Sequence, residues 1–182
     1  MLVSGCATNE GQLSASRRDS RSSKKQTAEV APAIAERVAS TPGDPRIRIS
    51  LGDQTAYLYK GGEVVATTPI STGKPGYSTP RGSYSVVQKN ASHVSGSYGQ
   101  IVDGSGNVVN GDASSRSDRV PSGCRFVGAP MPYFMRFNHG IGMHAGYLPG
   151  YPASHGCVRL PRQMAQLFYT HAPVGTPVAV TD

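Results

Sequence analysis

The sequence reads Ser154-His155-Gly156-Cys157-Val158-Arg159-Leu160 near its C-terminal end. This stretch places a cysteine directly after a glycine, with His144 upstream of both. A thiol becomes a useful nucleophile when it loses its proton, and a nearby imidazole is a common base. The glycine allows the backbone to turn sharply and to point N–H groups at a substrate carbonyl. Cys157 is therefore the first candidate for chemistry, and a buried structural thiol is the alternative.

Two upstream blocks accompany this stretch in a fixed order. They are Ser71-Thr72-Gly73-Lys74-Pro75-Gly76-Tyr77-Ser78-Thr79-Pro80-Arg81-Gly82 and Gly140-Ile141-Gly142-Met143-His144-Ala145-Gly146. Together the three blocks resemble the L,D-transpeptidase catalytic domain (YkuD-like) family over about residues 46–180. The resemblance implies that Cys157 is the nucleophile. It identifies the nucleophile more firmly than the acceptor, because Arg159 two residues later suits both transferring and hydrolysing members.

The histidines and the arginine have different expected roles. The base implied by the family is the histidine before a small residue upstream of the cysteine, a position that His144 matches. His139 is expected to be a loop or rim histidine. Side chains alternate along an extended segment, so His155 and Arg159 share a face with Cys157. We expect His155 to tune the thiolate or hold substrate. Arg159 suits a donor-peptide carboxylate, with a structural ion pair as the alternative.

Backbone groups complete the expected site. The oxyanion donors would be the N–H groups of His155, Gly156 and Cys157. No aspartate or glutamate lies near His144 in the sequence, so we expect a backbone carbonyl, that of Ala145, to orient its ring. This differs from a Ser-His-Asp triad but still fixes the tautomer.

Three more residues are expected at the substrate: Ser154 of the motif, and Tyr147 and Tyr151 as walls of the cleft. The resemblance implies peptidoglycan stem peptides as substrates, with a thioester forming at the third-position diamino acid as D-alanine leaves. The acceptor is another stem, a lipoprotein lysine, a D-amino acid or water. With water the activity is that of an L,D-carboxypeptidase. Acyl transfer through a thiol needs no metal or organic cofactor.

Two alternative functional classes compete with acyl transfer. Zinc-dependent hydrolysis would use His139, His144, His155 and Cys157 as ligands. His139 and His144 are five residues apart on a predicted strand, which places them on opposite faces and disfavours this reading. The other alternative is a non-catalytic wall-binding lipoprotein, against which the intact Cys157, His144 and Gly156 argue.

Length and charge limit the partners. A chain of 182 residues accommodates one domain and a tail. Six of the 18 basic and five of the 11 acidic residues precede Arg46, so the C-terminal domain is the basic part. Its arginines are scattered and tryptophan is absent, which does not favour nucleic acid. An anionic cell wall suits this surface, and we expect a monomer.

The three cysteines need separate explanations. Val3-Ser4-Gly5-Cys6 resembles a bacterial lipobox, although the residues before it are too few for a signal-peptide apolar region. We expect the protein in the cell envelope, in the periplasm, with a lipidated Cys6 as its one means of membrane attachment. Cys124 is expected to pack as a small hydrophobe. A disulfide between Cys124 and Cys157 would inactivate the site and is disfavoured.

The chain divides into three predicted parts. Residues 1–6 are a truncated signal or lipobox remnant, residues 7–45 a disordered tether rich in Ser, Arg and Ala, and residues 46–182 the catalytic domain. Residues 27–40 could form only a marginal helix because Pro32 lies inside them. The alternating segments after residue 45, with a hairpin at 101–109 and a loop at 110–121, predict many short strands. One late α-helix follows Pro161, giving a mainly β, sandwich or barrel-like domain.

Overall fold

The computed structural model describes residues 32–182 and contains two five-stranded β-sheets. The first sheet has the strand order β3-β2-β1-β10-β4, and the second has the order β6-β5-β7-β8-β9. In chain order the elements are α1 (Pro32–Ser40), β1 (Pro45–Ser50), β2 (Thr55–Lys60), β3 (Glu63–Pro69), β4 (Gly82–Ser85), β5 (Gln88–Val102), β6 (Val108–Ser114), β7 (Arg125–Asn138), β8 (Ile141–Ala145), β9 (Val158–Leu160), α2 (Arg162–His171) and β10 (Pro177–Thr181). The prediction of a mainly β domain with one late helix is confirmed.

The first sheet joins the two ends of the domain. In β1, Ile47 and Ile49 are buried while the side chains between them are less so, as the alternation in sequence predicts. β1 pairs antiparallel with β2 and parallel with β10. The closing strand, expected at residues 176–180, therefore lies beside the first strand of the sheet.

Helix α2 covers the core and follows the site. It begins after Pro161 and buries Met164, Leu167 and Phe168 at helical spacing, packing against β7 and β8. Because α2 starts directly after β9, the burial of its apolar face anchors the segment that carries Cys157.

Helix α1 corrects the boundary of the predicted tether. Residues 32–45 were expected to be disordered, yet Pro32–Ser40 forms a helix in which Val38 is fully buried. Lys60 Nζ donates a 2.9 Å hydrogen bond to the Val38 carbonyl. Proline is tolerated because it occupies the first position of the helix, and tertiary burial offsets the marginal propensity. The tether prediction for residues 7–31 and the lipobox at Cys6 lie outside the described residues.

Strands β5 and β7 are much longer than the sequence pattern predicted, and β6 replaces part of the loop expected at 110–121. The register between β5 and β7 shifts between Val94 and Gly99, so four residues of β5 bulge out there. Gly99 faces Gly128 just beyond this bulge, and a Cβ on Gly99 would lie 2.1 Å from the Val127 carbonyl oxygen. From Tyr98 at the end of the bulge, residues 98–128 form what we call the β5–β7 lobe, which lies beside Cys157.

Candidate active site

Cys157 lies at the turn that leads into β9. Gly156 precedes it with φ of +111°, a backbone conformation that glycine adopts without strain. The thiol is packed over the β7–β8 turn, with Sγ 4.0 Å from the Gly140 carbonyl oxygen. It lines a cavity of about 400 Å³ together with His144 and Arg159. The structure thus brings together the three residues for which the sequence predicted nucleophile, base and carboxylate ligand.

Ser154 braces this turn from inside. Its hydroxyl donates to the Cys157 carbonyl and accepts a 3.0 Å hydrogen bond from the Gly156 N–H. Ser154 is only 2% exposed but lines the cavity, so its contacts show a role in shaping the turn, and the contact with substrate stays a prediction. The Gly156 N–H is also occupied, which removes it from the predicted oxyanion donors. Among the described residues, no hydrogen bond outside the strands uses the N–H of His155 or Cys157.

The upstream Thr-Pro block supports the same turn. The Thr79 hydroxyl donates to the Gly156 carbonyl at 2.7 Å and accepts from the Gly73 N–H at 3.0 Å. A Cβ on Gly73 would lie 1.9 Å from the Tyr77 carbonyl oxygen, so only glycine fits there. Ser71 and Arg159 exchange two backbone hydrogen bonds of 3.0 and 2.9 Å. Two motifs far apart in sequence therefore form one structural unit around Cys157.

Gln54 is a supporting residue that the sequence analysis missed. Its side chain accepts from the Thr72 N–H at 3.0 Å and donates to the Thr72 hydroxyl at 2.7 Å. The Thr72 carbonyl oxygen in turn accepts hydrogen bonds from the N–H groups of Ala153 and Ser154. No sequence signal marks Gln54, because its partner lies on a different segment and only the fold brings the two together.

His144 is held in one tautomer. Its Nδ1 lies 2.9 Å from the Ala145 carbonyl oxygen, as the sequence analysis expected. A carbonyl oxygen only accepts, so Nδ1 carries the proton and Nε2 keeps its lone pair. The side chain is buried, 5% exposed, and burial lowers the pKa of His144 to about 4, helped by the charge of Arg159 and opposed by the hydrogen bond to Ala145. At neutral pH the imidazole is uncharged and is able to accept a proton.

The Cys157 thiol is also neutral at rest. Burial raises the pKa of Cys157, while a hydrogen bond from the Gly142 backbone and the charge of Arg159 oppose this rise. The structure therefore does not contain a preformed thiolate–imidazolium pair.

Arg159 has no carboxylate within ion-pair distance anywhere in residues 32–182. β9 places it opposite His144 in the register with β8, and its stem packs on Gly146. Of the two roles left open by the sequence, this favours a ligand carboxylate over a structural ion pair.

His155 lies between two tyrosine rings rather than against the thiol. Its ring stacks on Tyr98, with centroids 4.2 Å apart, and meets Tyr77 edge-on at 4.7 Å. Its Nε2 lies 3.5 Å from Oδ1 of Asp112. Burial and the nearby Lys74 lower the pKa of His155, although the Asp112 carboxylate opposes this. His155 lines the cavity, but these contacts favour a supporting task.

Other predicted residues are dispersed. Tyr147 lines the cavity, whereas Tyr151 is 62% exposed and does not, so the cleft wall predicted for Tyr151 is not formed. His139 is exposed at the β7–β8 turn with φ of +42°, outside the cavity. Cys124 is a free thiol, as is Cys157. Within the described part of the chain, no three His, Cys, Asp or Glu side chains converge as a metal site.

The model of the YkuD family, described as the L,D-transpeptidase catalytic domain, matches residues 44–180. This chain belongs to that family. Among solved structures, it is similar to an L,D-transpeptidase from Mycobacterium smegmatis (23% identity, TM-score 0.58, 76% of this chain and 59% of that one). It is also similar to an L,D-transpeptidase from Stackebrandtia nassauensis (21%, 0.56, 82% and 65%) and to a cysteine-to-serine mutant of the Enterococcus faecium L,D-transpeptidase (24%, 0.56, 76% and 50%).

At these identities the solved structures establish the shared fold. The chain spans between half and two thirds of their lengths. A search of curated proteins gave no match.

Proposed function

We propose that this YkuD-family chain is a cysteine acyltransferase that acts on peptidoglycan stem peptides. The observation that carries the proposal is one cavity that holds Cys157, the neutral His144 and the unpaired Arg159. A nucleophile, a base with a defined tautomer and a carboxylate ligand are the groups that acyl transfer from a peptide requires.

The reaction divides into two steps. In the first, Nε2 of His144 takes the thiol proton as Cys157 Sγ attacks the carbonyl carbon of the third-position diamino acid. The bond to D-alanine breaks, its nitrogen receives the proton from His144, and a thioester remains. In the second step, an amine attacks the thioester carbonyl and gives its proton to Nε2. The carbon–sulfur bond breaks, and the sulfur takes the proton from Nε2, which restores the thiol. The N–H groups of His155 and Cys157 remain as oxyanion donors, since the Gly156 N–H already has a partner.

Arg159 orients the donor peptide in this scheme. Its guanidinium has no carboxylate partner within residues 32–182 and lines the same cavity as the thiol, so in this proposal it binds a carboxylate of the stem peptide. Tyr147 supplies an exposed aromatic wall at the same cavity. Residues 46–182 carry all of these groups, and we propose them as the catalytic domain.

The experiment is product analysis after incubation with disaccharide-tetrapeptide. We expect release of D-alanine and an amide-linked product when an amine acceptor is present, with chelator having no effect. If only the shortened tripeptide forms at every acceptor concentration, the enzyme is an L,D-carboxypeptidase. Loss of turnover with chelator would support metal-dependent hydrolysis, and no turnover of any donor would support a wall-binding protein.

We further propose a location in the cell envelope, with the mature chain anchored through a lipidated Cys6. The support is the lipobox-like Val3-Ser4-Gly5-Cys6 together with a wall substrate. In the described region, neither helix is long and apolar enough to cross a membrane. Stable anchoring takes more than one acyl chain. Expressed behind a complete export signal, the protein should fractionate with the membrane, and Cys6→Ser should release it to the periplasm.

A further inference from the structure

Four side chains from four separate segments meet at the mouth of the cavity. They are Tyr77 of the Thr-Pro block, Tyr98 in the bulge of β5, Asp112 of β6 and His155 of the Cys157 turn. We call them the His155 cluster. The cluster is the only set of side-chain contacts described here that joins the β5–β7 lobe to the Cys157 turn, within residues 32–182.

The three rings of the cluster contact one another in favourable geometry. His155 and Tyr98 stack with ring planes 10° apart, and Tyr77 meets His155 edge-on at 82°. Tyr77 also meets Tyr98 edge-on, with centroids 6.4 Å apart at 89°. Stacked and edge-to-face pairs are the arrangements that aromatic rings prefer. The triangle therefore fixes the His155 ring on two sides.

Asp112 fixes the third side. Its Oδ1 lies 3.5 Å from Nε2 of His155, and its Oδ2 accepts a 3.0 Å hydrogen bond from Lys74 Nζ. The carboxylate is largely exposed, so the ion pair itself adds little stability. Its contribution is geometric, because it turns Nε2 of His155 towards β6.

The position of His155 makes this restraint important for chemistry. His155 lies two residues before Cys157, in the same Gly156-containing turn that Ser154 and Thr79 brace from the other side. The bulge that carries Tyr98 is also the point where the pairing of β5 and β7 shifts register, so the strand ladder is locally interrupted there. The His155 cluster thus contacts both the Cys157 turn and the β5–β7 lobe beside it.

We propose that the His155 cluster is a latch that holds the β5–β7 lobe against the Cys157 turn. Its members are positioning residues: they keep the thiol and the Cys157 N–H in the reactive arrangement, and His155 transfers no proton. Two experiments test this proposal. The kinetic experiment rests on the proposed acyl transfer, whereas the labelling experiment does not.

The kinetic experiment compares His155→Phe with His155→Ala. Phenylalanine keeps a flat ring between Tyr77 and Tyr98 but has no nitrogen to transfer a proton. We expect His155→Phe to retain kcat within about tenfold of wild type, and His155→Ala to lose about tenfold more than that, since an aromatic pair is worth about two- to tenfold and two pairs are lost. If both substitutions abolish turnover equally in folded protein, His155 transfers protons and the proposal is wrong.

The labelling experiment measures access to Cys157 in protein with Cys6→Ser and Cys124→Ser, which leaves a single thiol. Rates are compared for a small reagent, iodoacetamide, and a bulky one, a maleimide carrying a fluorophore. We expect Tyr98→Ala to raise the bulky-to-small rate ratio by about two- to tenfold, because the lobe opens. Tyr57→Ala is the control, since Tyr57 packs on Tyr59 and Arg48 in the other sheet.

Asp112→Asn should raise the ratio by a smaller factor, about two, in keeping with an exposed ion pair. Glu63→Gln is its control, because Glu63 is a similarly exposed carboxylate that pairs with Arg37 and does not line the cavity. An unchanged ratio in Tyr98→Ala, with melting temperature preserved, would overturn the latch. A changed ratio in protein that turns over no donor peptide would keep the latch and refute the proposed function.

Discussion

The backbone carbonyl oxygen of Ala145 lies 2.9 Å from Nδ1 of His144, the residue directly before it. A carbonyl fixes the tautomer as the aspartate of a Ser-His-Asp triad does, but it adds no negative charge that would stabilise an imidazolium. Burial then dominates and keeps the pKa of His144 low, at about 4. His144 is therefore a weak base in the free protein, and in the proposed mechanism its uptake of the thiol proton accompanies attack by Cys157.

The first prediction distinguishes His144, in β8, from His139, at the β7–β8 turn. His144→Ala should reduce kcat by a hundredfold or more, because a general base contributes on the order of 10² to 10⁴. His139→Asn should reduce it by less than about threefold, because His139 is exposed outside the cavity and asparagine tolerates its positive φ. Steady-state release of D-alanine measures both. An indispensable His139 would mean that the base has been misassigned.

The second prediction concerns the protonation of the thiol. Burial raises the pKa of Cys157, so its rate of alkylation by iodoacetamide should increase steadily up to and beyond pH 9. Protein with Cys6→Ser and Cys124→Ser isolates this one thiol. A plateau of fast alkylation already reached at pH 6 would reveal a preformed thiolate, contrary to the neutral pair described above.

The third prediction links His144 to stability. Its pKa is about 4 in the folded protein, below the 6.5 of an unperturbed histidine, so between these values the unfolded chain binds more protons. The stabilisation is complete above pH 6.5 and is lost as pH falls towards 4, by about 3 kcal/mol. Urea unfolding at pH 7 and pH 4.5 should show the loss.

His144→Gln is the control for that measurement. In this variant the free energy of unfolding should fall less between pH 7 and pH 4.5. The remaining fall should equal what the lowered pKa values of His93, His155 and His171 contribute. If the free energy of unfolding falls with pH as much in His144→Gln as in the wild type, His144 is not buried as a neutral ring.

The fourth prediction tests the unpaired guanidinium. Arg159→Gln should raise KM for the donor peptide by about tenfold or more, since a charge-assisted hydrogen bond contributes about 1.5–3 kcal/mol. A donor whose carboxylates are amidated should bind wild type and Arg159→Gln equally well. Arg46→Gln, in the other sheet beside Tyr59, is the matched control. Equal losses with both donors would assign Arg159 a structural task instead.

The sequence was sufficient where chemistry and local pattern coincide. Cys157 and His144 were assigned from short motifs that resemble a known family, and the structure places both at one cavity; the Ala145 carbonyl, expected because no acidic residue lies near His144 in sequence, lies at Nδ1. Helix α2 could be predicted because Met164, Leu167 and Phe168 repeat at helical spacing after Pro161.

The misses share a physical cause. The Gly156 N–H was predicted as an oxyanion donor, but it donates to the Ser154 hydroxyl inside the turn, whereas the predicted contact of Ser154 with substrate stays a prediction. Helix α1 and the long strand β5 have weak local signals and depend on tertiary burial and pairing. Gln54 and Asp112 act on residues far away in sequence, so only the folded chain identifies them.

The central claim is that Cys157 carries the acyl group. The most direct measurement is intact-protein mass spectrometry after brief mixing with disaccharide-tetrapeptide, without an acceptor amine, followed by peptide mapping. The account predicts an adduct equal to the donor minus D-alanine, located on Cys157, labile to hydroxylamine, absent from Cys157→Ala and retained in Cys124→Ser. An adduct on any other residue, or turnover that persists in folded Cys157→Ala, would contradict it.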